Sequence, residues 1–250
     1  MNISFFQTYG NRLPLIKIRE EDLIFQKFIQ HFDMNILSLH NVTTDIIEYV
    51  SKNKIVPNQL IWDFSGKSYG QCVKFLLNFI LSQKVEKFFF YQDDTFSYEI
   101  NETNINDLLT LVFNPIFDLV NISYKLDYLK EHKKWNDVKN IIYKTPSFNL
   151  YDTNTFDFKK SGLWAFDDSC FVCSPQKISE IYDESYWNFS NVWDAEHYLN
   201  SKFSRINIPR PITDTSFFIN YNIMGKNTDP QNLTNLQKHI QLSEKTRGLL

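Results

Sequence analysis

Apolar and polar positions sort into two alternating kinds of run over about the first 92 residues. Short apolar runs predict strands at 3–6, 35–39, 59–64 and 87–91, the last reading Lys-Phe-Phe-Phe-Tyr. Between them the spacing turns helical. Positions 20–32 carry Leu23, Ile24, Phe25, Phe28, Ile29 and Phe32, and 71–82 carry Val73, Leu76, Leu77 and Ile80. Thr43 or Thr44 suits the cap of a helix running to Val50, with Asp45 in its first turn. Strands alternating with helices predict an α/β fold with a mainly parallel sheet and helices on both faces. Apolar runs without polar alternation fit strands buried on both sides. Ligands in such sheets sit beyond the carboxyl ends of the strands. The polar residues expected there are Gln7-Thr8, His40-Asn41, Asp63 and Gln92-Asp93-Asp94.

The second half is less regular. Helices are predicted at 104–112, 175–182 (with Pro175 in the first turn) and 194–203. Extended segments are predicted at 121–126, 140–143, 164–174 and 205–211. The chain turns polar from Gly225 to Leu236, and a weakly amphipathic tail follows. Neither an internal repeat nor a low-complexity linker divides the chain.

Composition narrows the class. The 250 residues are 43% hydrophobic and 16% aromatic, which excludes a disordered chain. A net charge of −3 supplies no global basic field, so nucleic acid is not an expected partner. Three cysteines, Cys72, Cys170 and Cys173, cannot build a disulfide framework, and a reducing, cytoplasmic compartment is expected. The N-terminus shows no basic stretch leading into an apolar one. The most apolar window, 108–120, is interrupted by Asn114-Pro115 and Asp118, so no transmembrane segment is expected. Without a leader, the Asn-X-Ser/Thr triplets at Asn41, Asn121 and Asn188 are read as coincidence.

Four constellations could carry chemistry. Asp93-Asp94 closes the Phe-rich strand, and adjacent carboxylates at a buried strand end call for a positive neighbour. A hard divalent cation serves, with substrate phosphates and waters as its other ligands. A surface turn is the plain alternative. The loop Ser65-Gly66-Lys67-Ser68-Tyr69-Gly70 opens a helix and could present N–H groups to an anion, but it lacks the first glycine of a phosphate loop. Asp194, Glu196 and His197 fall within four residues, where a carboxylate could act as general base or simply cap the helix. Cys170 and Cys173, beside Asp167-Asp168, would point to opposite faces of a strand, which favours core positions over a zinc site.

Taken in order, the strand and loop from Ile3 to Arg12, then Asp63, the Gly66–Gly70 helix opening, Gln92-Asp93-Asp94 and Asp194-Ala195-Glu196 resemble the GT-A nucleotide-sugar glycosyltransferases, in particular the family-2-like ones. The resemblance covers about residues 1–205 and rests on order and spacing, since no one motif is specific. It implies a Rossmann-like GT-A domain over 1–250, with a donor-binding half at 1–100, an acceptor-side half at 101–225 and a tail at 226–250. It implies an enzyme of glycan biosynthesis, a hexosyl- or deoxyhexosyltransferase, moving a sugar from a UDP- or GDP-linked donor to a hydroxyl of a saccharide acceptor. Thr8, Tyr9, Asn11, Arg12 and Asn41 would then line the donor pocket, with Asp63 on the base and Lys67 toward the diphosphate. Asp94 would hold Mn²⁺ or Mg²⁺ directly, and Asp93 would contact metal-bound water or ribose. Asp194 or Glu196 would take the acceptor proton. Gln92 stands where such proteins usually have a first Asp. A non-catalytic nucleotide- or glycan-binding module and a sugar nucleotidyltransferase are the competing readings. A single glycine after the first strand counts against the second.

Overall fold

Strands buried on both faces need apolar side chains in both registers, and three of the first four runs meet that condition. The computed structural model describes residues 1–122, 140–153, 170–206, 211–220 and 234–238. In it the runs become β1 (Asn2–Tyr9), β2 (Met34–His40), β3 (Gln59–Asp63) and β4 (Lys87–Gln92). They lie in the order β3-β2-β1-β4, every pair parallel, with Phe5 opposite both Ile36 and Phe90. Strand β1 runs three residues further than the apolar pattern indicates. Gln7 and Thr8 are polar but fully buried, and both side chains find partners, so the ladder continues to Tyr9 opposite His40.

The helices are α1 (Leu13–Glu21), α2 (Leu23–Ile29), α3 (Thr44–Lys52), α4 (Tyr69–Ser82), α5 (Ile105–Val112), α6 (Pro175–Ile181) and α7 (Val192–Ile206), with a 3-10 turn at Glu184–Asn188. The single helix expected over 20–32 is therefore two. Asp22 makes the break: one carboxylate oxygen accepts the Phe25 N–H (3.2 Å) and starts a new helix. The other accepts the Ser97 N–H (2.9 Å). Helix α1 escaped the pattern because its sequence, Leu-Pro-Leu-Ile-Lys-Ile-Arg-Glu-Glu, mixes charge among its apolar positions. Helix α4 begins with a reciprocal cap between Ser68 and Gln71.

Two apolar clusters sandwich the sheet. One unites α1, α2, α3 and α5 with Phe89 and Tyr91 of β4. The other unites α4, α6 and α7 with Phe88 and Phe90. Alternate side chains of one strand thus feed opposite cores. The same alternation sends Cys170 to the first and Cys173 to the second, and all three cysteines are free and buried.

Beyond β4 the architecture departs from the expected mainly parallel sheet. Strands β6 (Leu119–Asn121), β7 (Ile141–Lys144), β8 (Asn149–Tyr151), β9 (Cys170–Cys173) and β10 (Ile212–Thr213) complete a mixed nine-stranded sheet, ordered β3-β2-β1-β4-β9-β6-β10-β8-β7. Strand β9 is antiparallel to both β4 and β6. It follows a long excursion from β4, not one helical crossover, so nothing in its connection forces it parallel. Strands β5 (Thr95–Ser97) and β11 (Phe218–Asn220) pair as a separate ribbon.

Of the second-half expectations, 140–143 is extended and 175–182 is nearly all helical, as predicted. Residues 205–206 belong to α7 and are not extended. Expectations at 123–126, 164–169 and 207–210 lie outside the described residues. In the tail, 234–238 is helical and Leu236 is buried against Leu15, Ile18 and Phe96. Among the described residues, no helix is long and apolar enough to cross a membrane.

Candidate functional site

Parallel order brings the carboxyl ends of β1 to β4 to one edge of the sheet, and main-chain bonds join the loops that leave them. Gly10, in the left-handed region at φ +55°, donates to the His40 carbonyl (3.4 Å) and accepts from the Thr43 N–H (3.2 Å). The Asn41 side chain accepts the Gly66 N–H (3.0 Å), tying the loop after β2 to the loop after β3. The Asp93 N–H donates to the Gln7 carbonyl (3.0 Å).

Asp93 and Asp94 form the turn between β4 and β5. Asp93 is wholly buried and already held. One oxygen accepts the Thr8 hydroxyl (2.6 Å) and the Tyr9 N–H (3.3 Å), and the other accepts Arg12 Nη1 (2.5 Å). The Arg12 side chain is about a quarter exposed. Asp94 is also buried, and its Oδ1 has no hydrogen-bond partner. The two carboxylates therefore differ. Burial pushes both pKa values up, but on Asp93 the Arg12 charge and its three hydrogen bonds oppose the shift. On Asp94 the neighbouring Asp93 charge adds to the effect of burial and raises it to about 7.

Arg19 lies beneath this turn and was not anticipated. Its guanidinium is fully buried, and none of its nitrogens donates a hydrogen bond. Its Cζ sits 4.2 Å from the Phe96 ring centre and 4.4 Å from that of Phe25, with Asp22 Oδ2 at 3.9 Å from Nη1. Aromatic faces thus supply part of its solvation. Burial lowers its pKa, and Asp22, Tyr91, Asp93 and Asp94 all act to raise it. In the sequence, Arg19 and Asp22 at i,i+3 are indistinguishable from a surface helix pair.

A second buried polar group adjoins the loops. His40 Nε2 lies 2.7 Å from Ser38 Oγ and 3.3 Å from Gln7 Nε2, and the Tyr69 hydroxyl donates to Gln7 Oε1 (3.4 Å). The imidazole packs on the rings of Tyr9 (5.0 Å) and Phe64 (5.4 Å). Burial lowers its pKa to about 4, so it is neutral at pH 7.

The remaining candidates are more dispersed. Thr8, Tyr9, Arg12, Asp93 and Asp94 form one cluster, and Asn41 belongs to the neighbouring loop junction. Asn11 and Lys67 are exposed loop residues. Asp63 is exposed as well, and its Oδ1 accepts the Ser65 N–H (2.9 Å) and hydroxyl (2.6 Å), a local turn. Asp194 is exposed at the start of α7 and paired with Asn191, whose Nδ2 donates to it (2.7 Å) and whose Oδ1 accepts its N–H (2.9 Å). Glu196 is partly buried on the same helix. The segment before α7 docks on the start of α4, where Gly70 N–H donates to the Phe189 carbonyl (2.9 Å). The start of α7 therefore lies at the loop edge of the sheet.

Among the described residues, no group of three or more His, Cys, Asp or Glu side chains is placed to hold a metal ion. With both Asp93 oxygens engaged, the cluster offers the unpartnered Asp94 oxygen alone. That donor set fits a hard cation whose other ligands are phosphate and water.

The chain matches no known family model and no curated protein. It superimposes on HddC from Yersinia pseudotuberculosis with 14% identity and a TM-score of 0.49, over 95% of this chain and 99% of that one. It superimposes on residues 1–349 of TarS from S. aureus with 13% identity and a TM-score of 0.49, over 97% of this chain and 65% of that one.

Proposed function

We propose that the chain is a glycosyltransferase that moves a sugar from a nucleoside-diphosphate donor to an acceptor hydroxyl. The observation that carries this reading is the division of labour in the acidic turn. Asp93 is fixed to the loop after β1, and Asp94 keeps a buried carboxylate oxygen free of any partner. A buried, unpaired carboxylate is costly unless a ligand completes it.

In this reading Asp94 holds Mn²⁺ or Mg²⁺, a cation that when bound neutralises charge on a leaving diphosphate. Arg12 and Asp93 fix the loop that carries Tyr9 and Asn11, so the donor meets a rigid wall. Asn41 and Asp63 shape the base-binding side through the loops they organise. Exposed Lys67 follows Gly66, which the Asn41 side chain ties to the loop after β2, and would reach toward phosphate oxygens from there. Asp194 or Glu196 accepts the acceptor proton. Neutral His40 takes no proton from the reaction at pH 7; it fills the space beneath Tyr9.

One observation favours a second reading, a nucleotide-sugar-binding module without turnover. Gln92 replaces a first acid, Asp93 is fully engaged, and Asp194 is spent on Asn191, so few carboxylates are free to act. Turnover separates the two. Donor hydrolysis or transfer is measured across UDP- and GDP-sugars for the native chain, for Asp94→Ala, and with EDTA. The proposal expects activity that both treatments abolish. Undiminished activity in both removes the metal-assisted mechanism, and binding without turnover selects the module.

A further inference from the structure

The two arms of the acidic turn are anchored unequally. Strand β4 lies inside the nine-stranded sheet, between β1 and β9. Strand β5 lies outside it, three residues long, in the two-stranded ribbon with β11. Such a ribbon is marginally stable by itself, so side chains must hold this arm. Phe96, the middle residue of β5, is fully buried but joins neither apolar cluster that sandwiches the sheet. Among the described residues it packs in a small cluster of its own, with Leu15 and Ile18 of α1 and Leu236 of the tail. The Arg19 guanidinium also covers the ring, with Cζ 4.2 Å from its centre. One wall of the seat beneath the turn therefore comes from near the far end of the chain. The next residue, Gln237, pins that wall to the end of α1: its Nε2 donates to both Glu21 carboxylate oxygens (3.1 and 2.9 Å).

We propose that Leu236 is a positioning residue for the acidic turn: the tail segment 234–238 is a strap that, through Phe96, sets where Asp94 stands. The inference rests on the reading that Asp94 holds the cation. Asp93 does not need the strap, because Thr8, Tyr9 and Arg12 hold both its oxygens from the β1 side. Asp94 Oδ1 has no such tie. Its place is set by the chain on either side, and the β5 side is only as firm as the seat of Phe96. Small satellite clusters open locally while the main core stays closed. Undocking the tail therefore loosens the cation's ligand and leaves the sheet intact.

Amide hydrogen exchange and Mn²⁺ titration of the full chain test this together. The Ser97, Tyr98 and Glu99 N–H groups report on the β5 arm. They donate to Asp22 Oδ2 (2.9 Å), the Phe217 carbonyl (2.9 Å) and the Ser216 carbonyl (3.0 Å). The β1–β2 ladder is the control. Leu236→Asp puts a charge in a fully buried apolar position, so the tail should undock. The three amides should then exchange at least about tenfold faster, with β1 and β2 unchanged. Mn²⁺ affinity in the presence of UDP or GDP should fall at least about tenfold. Leu236→Ala should give the same pattern at smaller size, and Leu236→Met, close in volume, should restore both readouts. Unchanged exchange at the three amides in Leu236→Asp overturns the proposal. So does equal acceleration in β1 and β2, which marks an ordinary core residue. Uptake by the native chain with the same affinity in Leu236→Asp removes this inference alone. No uptake by the native chain with either nucleotide removes the reading of Asp94, and this inference with it.

Discussion

From β3 to β4 the sheet is parallel, and each strand end is tied to its neighbour's loop: Gly10 to His40 and Thr43, Asn41 to Gly66, Gln7 and Arg12 to Asp93. From β9 to β7 it is mixed, with strands of two to four residues whose partners lie far away in sequence, as Ile212 pairs with Asn121 and Tyr151. The first region concentrates polar groups at one edge, because parallel strands all end there. The second has no common edge, so its polar pairs, such as Asn149 with Asp214, hold hairpins and loops together. Candidate chemistry therefore gathers where the topology is parallel. The second region reaches it through the segment that docks on α4.

The strongest way to break that comparison is to cut the clamp in the parallel half. Arg12→Ala leaves the Asp93 carboxylate buried without its cation and should cost about 3 kcal/mol. Asn11→Ala, on the exposed loop beside it, should stay within about 0.5 kcal/mol. Urea denaturation of both reads the difference. A loss below about 1 kcal/mol for Arg12→Ala would mean that the clamp is ornamental.

Next in size is the acid limb of stability. His40 is held neutral, with a folded pKa of about 4 against 6.5 in an unfolded chain. The unfolded state then binds the proton more readily. Stability is complete above pH 6.5 and falls as pH drops toward 4, by up to about 3 kcal/mol from this group. In His40→Gln that loss should vanish between pH 6.5 and 4, seen as a narrowing gap to the native chain in parallel melts. An unchanged pH dependence would show that His40 is solvated and does not sit in the packed wall beneath Tyr9.

The smallest effect probes the junction between the two regions. A Cβ on Gly70 would lie 2.2 Å from the Trp187 carbonyl oxygen. In an ordinary helix Gly→Ala gains up to about 1 kcal/mol. Here Gly70→Ala should lose about 1 to 3 kcal/mol through overpacking, as measured by chemical denaturation. A gain would mean that the 187–190 segment moves off α4 freely.

The same contrast explains what could be read from the sequence. Strands β1, β2 and β4 were legible because burial on both faces demands apolar runs such as Phe88-Phe89-Phe90-Tyr91. Helix α4 was legible because its caps and its face agree. The cysteine alternation followed from period two alone. Strands such as β10 and β6 were not legible, because a two- or three-residue strand is chosen by its distant partners. The break at Asp22 was missed because a capping Asp reads as a polar position on a continuous helix. In the candidate site, the acidic turn and the loop after β1 were visible as polar residues at strand ends. Their inequality was not. That both Asp93 oxygens are engaged while Asp94 Oδ1 is not depends on Thr8 and Arg12, more than eighty positions away in the chain. Arg19 was invisible for a related reason, since its aromatic surroundings come from four separate elements.

Calorimetric titration of Mn²⁺ in the presence of UDP or GDP, comparing the native chain with Asp94→Asn, bears most directly on the role given to the unpartnered carboxylate oxygen of Asp94. The account expects saturable, nucleotide-dependent uptake of the ion by the native chain and at least a tenfold weaker affinity once that single charge is removed. Equal affinities in the two proteins, or no uptake by either with any nucleotide, would contradict it.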